Sequence, residues 1–164
     1  MNDQAKDVTY DYDPYRFDLP LLLKLLVTGL LSGLIGWILY ELLARYVVAP
    51  LLCGNVDSFA LCQNGGTVAW GTAHVLVLVA SVAVLAKLAV YRPLLIVLAV
   101  LVALWGTHQW LGVMPWYIAA AWQTLLFLLA FGLFGWVART TNFIVALVLS
   151  LVLAIGARLI LTYL

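Results

Sequence analysis

Charge is what this sequence has least of. Only 9% of its 164 residues are Asp, Glu, Lys or Arg, while 66% are hydrophobic, far from the roughly 25% charged and 45–50% apolar of soluble domains. The net charge of +1 is scattered among apolar stretches and makes no clustered basic face, so no nucleic-acid partner is expected. Catalytic signatures are missing too: the chain has no HExxH, no phosphate-cradling glycine loop and no nucleophilic serine motif. No metal site and no cofactor is expected, and the reading leans away from an enzyme. Two histidines, His74 and His108, raise bis-histidine haem ligation, but no further motif supports it.

Cysteine is nearly absent as well. Cys53 and Cys62 are the only two, and eight residues separate them. That spacing is neither the CxxC of a redox pair nor part of a zinc ligand set. A disulfide is expected if the segment faces an oxidising compartment.

What is present is a succession of long apolar runs. Approximate spans fall at 21–49, 67–90, 93–111, 116–138 and 143–164, each close to the ~20 residues that cross a hydrocarbon core. Lipid offers no partner to a bare amide, so such runs are expected to be helices. The fold class read from the sequence is therefore all-α: a polytopic transmembrane bundle of about five spans. Pro20, Pro93 and Pro115 stand where a helix begins and needs no amide proton, and Asn142 is placed to cap the last helix. The first run starts after a polar lead and is too long for a signal-peptide core, so it reads as an uncleaved anchor.

Residues 1–20 form a leader that holds five of the seven acidic residues, Asp3, Asp7, Asp11, Asp13 and Asp18. Tyr10, Tyr12, Tyr15 and Phe17 are interspersed among them, a composition suited to headgroups or to a cytoplasmic partner. The only connection long enough for structure of its own is 50–66.

Orientation follows from the cations. With the amino terminus in the cytoplasm, Lys6, Arg16, Lys24, Lys87, Arg92 and Arg139 lie inside and only Arg45 and Arg158 lie outside, as the positive-inside rule prefers. The carboxyl terminus and the cysteine loop 50–66 then face outward. Trp70, Trp105, Trp110, Trp116 and Trp122 also gather toward the outer helix ends, as an interfacial belt would. The expected location is a multi-pass membrane, with a bacterial plasma membrane as the default.

Few polar residues interrupt the spans. At about 1.5 Å per residue, Glu41, Arg45, His74, His108, Gln123 and Arg158 all fall in the outer leaflet. Intramembrane ionisable groups usually face the bundle and find partners. Glu41 is expected to pair with Arg158, or with Arg45 at i,i+4 spacing, and His74 and Gln123 are expected to line the same outward cavity. The alternative is plainer: arginines that snorkel and single interhelical hydrogen bonds from His74 and Gln123. Gly29, Gly33 and Gly36, with Ser32, carry small residues at the spacing that lets helices approach closely, for an internal contact in preference to a dimer. Gly132 and Gly135 offer the same in the fourth span.

No family motif can be quoted on these residues. The expected function is that of a non-enzymatic accessory or assembly subunit of a membrane complex, its partners being the bilayer and another membrane protein or a second copy. The alternative is a carrier or channel for a small solute, ion or lipid, built on the outer-leaflet polar cluster.

Overall fold

The computed structural model describes residues 19–52, 62, 64–140 and 142–163, and among them every regular element is helical. Helix α1 (Leu19–Leu42) runs without a break into a π-helical turn (Leu43–Val48) and a short α2 (Ala49–Leu52). Then come α3 (Gly65–Lys87), α4 (Pro93–Ala103), α5 (His108–Leu111), α6 (Trp116–Val137) and α7 (Phe143–Tyr163). Four helices, Leu19–Leu51, Gly65–Lys87, Trp116–Val137 and Phe143–Leu161, are long and apolar enough to cross a membrane. The leader 1–18, and with it most of the 1–20 segment, lies outside the described residues, as does Cys53 of the expected disulfide.

Two local features depart from the sequence reading. The third segment, read as one span over 93–111, is broken: α4 has 11 residues, and the 4-residue α5 follows a bend. Gly106 at the bend has φ +94°, a conformation that only glycine adopts freely. The Thr107 hydroxyl donates to the Leu104 carbonyl at 3.0 Å, taking an acceptor that a continued helix would use. The second feature is the π-turn. Pro50 has no amide proton for the carbonyl four residues back and crowds it, and the Ala49 N–H reaches Ala44 instead, one residue further than an α-helix would allow. The first helix therefore continues past Pro50 with a widened turn.

Helix α1 packs most extensively on α6 and next on α3, while α7 rests chiefly on α4. The α1–α6 approach is made by glycine. A Cβ on Gly29 would lie 2.9 Å from both the Phe127 carbonyl oxygen and Phe131 Cβ, and one on Gly33 would lie 2.8 Å from Thr124 Cα. Gly36 differs, since a Cβ there would meet nothing within 4 Å. From the other side, Gly132 and Gly135 of α6 face Leu26 and Leu25 of α1. The core they enclose is built on Leu25, Leu78, Leu85, Ile96, Val100, Phe127, Phe131 and Phe134. A second cluster sits at the Glu41 end of the bundle, around Trp37, Trp70, Leu111 and Ala119.

Short turns close the Lys24 end. There the chain passes through Ala89 (φ 53°) and Arg92 (φ 55°) before Pro93 opens α4. The Arg92 guanidinium donates to the Thr140 carbonyl at 3.2 Å and lies over the Tyr91 and Phe143 rings. It thus ties the α3–α4 turn to the α6–α7 turn. Asn142 begins α7 through its backbone carbonyl, which accepts from the Ala146 N–H at 3.0 Å.

Candidate functional site

Three helices bring their interior polar side chains together two by two. His74 lies two turns into α3 and Gln123 two turns into α6, and both helices start at the same end of the bundle. Gln123 is 0% exposed and His74 3%. The His74 Nδ1 sits 2.9 Å from the Trp70 carbonyl; a carbonyl only accepts, so Nδ1 carries the proton and donates. Nε2 then holds a lone pair, and the Gln123 amide nitrogen donates to it at 2.7 Å. Flipping the amide would set its oxygen against that lone pair, so the tautomer fixes the glutamine. The remaining amide atom, Gln123 Oε1, is buried with no hydrogen-bond partner among the described residues.

The second link joins α1 to α3. Ser81 donates its single proton to the Val77 carbonyl at 2.8 Å, so the 2.8 Å contact with Ser32 must be donated by Ser32. Both serines are buried. A column of rings connects the His74–Gln123 link with the Glu41 end: Tyr40 and Trp37 pack edge-on against Trp70, Trp70 lies on His74 at 3.9 Å, and His74 meets Phe127 at 5.3 Å. His108 is 5.8 Å from Trp70 and shares a 3.1 Å hydrogen bond with Thr67. Both nitrogens of His74 are engaged, so the two imidazoles do not present a ligand pair to a haem iron. Among the described residues no group of three His, Cys, Asp or Glu side chains could hold a metal ion.

The charged candidates lie elsewhere. Arg45 Nε donates to Glu41 Oε2 at 3.0 Å, the local member of the two expected pairings. Arg158 is exposed on α7, which packs chiefly on α4. A groove of about 410 Å³ opens beside the π-turn, lined by Trp37, Ile38, Glu41, Leu42, Arg45, Tyr46 and Trp116. His74, His108, Gln123 and Arg158 do not line it: His74 and Gln123 form an enclosed link between helices, and Glu41 and Arg45 form an ion pair at the rim groove. The reason is azimuthal. His74 and Gln123 face the helix interfaces, whereas Glu41 and Arg45 lie on the outer flank of α1.

Sequence reasoning missed the aromatic column and the groove. The column has a local signal in the helical spacings Trp37/Tyr40, Trp70/His74 and Phe127/Phe131, and the groove has one in Pro50.

No protein-family model matches the chain, and no curated protein or solved structure is similar to it. Fold and site together therefore define only a class: an all-helical protein with four helices apolar and long enough for a bilayer, cross-linked inside by uncharged hydrogen bonds.

Proposed function

We propose that the protein is a multi-pass integral membrane protein acting as a non-enzymatic accessory or assembly subunit of a larger membrane complex. In this reading α4 and α5 together make a fifth, broken crossing. The Lys24 end faces the cytoplasm, because Lys24, Lys87, Arg92 and Arg139 gather there against Arg45 and Arg158 at the other end. The Cys53–Cys62 loop then faces outward, where a bridge is favoured, and an intact-mass change on reduction and alkylation tests for it.

The observation that carries the reading is how the interior polar groups are used. His74, Gln123, Ser32 and Ser81 are enclosed and bonded across helices, which is structural glue and not a solute path. Helix α7 complements this with a long uncovered apolar face that includes Val148, Leu151, Val152, Ile155 and Leu159. The test is photo-cross-linking in native membranes from positions 148 and 155, followed by mild solubilisation. A discrete protein adduct at these positions supports the reading; a chain that purifies alone, with only lipid adducts, sinks it.

One observation favours a second reading, a carrier of a small solute. The Gln123 amide oxygen is a buried acceptor without a partner among the described residues, the kind of group that a passing ligand or water satisfies. Proteoliposome flux through the wild type that disappears in His74→Ala would support it, and no flux in either would dismiss it.

A further inference from the structure

The rim groove combines a geometric irregularity, an accessible ion pair and a definite depth. Counted from Leu21, the ~20 residues that cross hydrocarbon end at Tyr40. Glu41 and Arg45 then stand at headgroup level, with Trp37, Tyr46 and Trp116 around them in the position of an interfacial belt. The π-turn Leu43–Val48 widens the helix at this level, and such turns mark functional places more often than chance.

The charges are poised for a zwitterion. Arg45 uses only Nε toward Glu41, and its side chain is 71% exposed against 30% for Glu41. The two terminal guanidinium nitrogens and Glu41 Oε1 make no further hydrogen bond or salt bridge among the described residues. A guanidinium holds phosphate oxygens with two parallel hydrogen bonds, and a carboxylate oxygen accepts from an ammonium N–H. Because the pair is neutral as a unit, a purely anionic headgroup satisfies Arg45 and leaves Glu41 repelled. Trp37 has Tyr40 and Trp70 packed against it, while Tyr46 and Trp116 are splayed and exposed. The rings thus form a wall for acyl chains and not a closed cage for a methylated ammonium.

On the membrane reading above, we infer that this groove seats a glycerophospholipid with a primary-ammonium headgroup, its phosphate on Arg45, its ammonium on Glu41 and its acyl chains along Ile38, Leu42 and Trp116. The test is native mass spectrometry of the full chain in detergent, with matched-chain phosphatidylethanolamine, phosphatidylcholine or phosphatidylglycerol added. The ethanolamine lipid should be retained about tenfold better than the other two, the worth of one charge-assisted hydrogen bond. Glu41→Gln should abolish that preference while phosphate retention persists, and Arg45→Gln should lower retention of all three. Circular dichroism and monodisperse elution of each variant report folding separately. Equal retention of the three lipids by the wild type, or an unchanged preference in folded Glu41→Gln, overturns the inference and leaves the membrane reading standing. A chain that stays monodisperse in water without detergent would instead overturn the membrane reading itself.

Discussion

Two glycines three residues apart should respond to the same substitution with opposite signs. Gly33 and Gly36 both lie inside α1, and alanine in place of glycine favours a helix interior by about 0.5–1 kcal/mol at either. At Gly36 nothing stands within 4 Å of the added carbon, so Gly36→Ala should stabilise by about that amount. At Gly33 the carbon would lie 2.8 Å from Thr124 Cα and 3.0 Å from Phe127 Cβ, where carbon atoms in good contact sit about 3.5–4.0 Å apart. The first obstacle is backbone, so no side-chain rotation relieves it. Helix α6 must withdraw by a good fraction of an ångström along its main interface with α1. Overpacking of this kind costs about 1–3 kcal/mol, which outweighs the helix gain and leaves a net loss of about 0.5–2 kcal/mol. Reversible unfolding by dodecyl sulfate in mixed micelles, followed by far-ultraviolet circular dichroism, measures both. The reasoning fails if Gly33→Ala is as stable as the wild type, or if Gly36→Ala loses as much as Gly33→Ala.

Two other substitutions probe the links and turns. Across a double-mutant cycle of His74→Phe and Gln123→Leu, the coupling energy in the same unfolding assay should be about 0.5–1.5 kcal/mol, with Gln123→Leu alone costing more because His74 Nε2 is left buried without a donor; a coupling near zero would refute the pairing. Ala89→Gly should raise stability by about 1 kcal/mol, since Ala89 holds a φ of 53° that disfavours any Cβ, and a lowered midpoint would show that the turn is not strained there.

The long helices were legible because their signal is local. An unbroken run of apolar residues predicts α1, α3, α6 and α7 without reference to any other part of the chain. Level along the bundle was legible too: His74 and Gln123 stand at similar distances from helix starts at one end, and they meet. Direction around the helix axis was not. These helices are apolar on all sides, so no polar stripe tells which face turns inward, and neither the separation of Glu41 from His74 nor the placement of Arg158 on a helix packed against α4 was readable. The broken third segment had a cue in Gly106, whose left-handed φ matters only once Thr107 takes the Leu104 carbonyl. The π-turn had one in Pro50, whose effect is exerted four residues earlier. The Glu41–Arg45 pair was the part of the candidate site most accessible to sequence, because i,i+4 neighbours meet on any helix.

Where polar groups sit in this bundle separates its inside from its perimeter. A charge in hydrocarbon costs about 2.5–3.5 kcal/mol on insertion scales, and the described interior contains none: its polar links are a serine pair and a neutral histidine–glutamine pair. Uncharged links hold helices together at low cost, and they provide no counter-ion along a path. The charges are placed at the rims instead, with Arg92 clamping turns at one end and Glu41–Arg45 flanking a groove at the other. A chain built this way meets its surroundings at the circumference. On the proposed membrane reading, the rim groove and the uncovered face of α7 are where a lipid and a partner helix would act on it, and the closed centre is what keeps those surfaces in place.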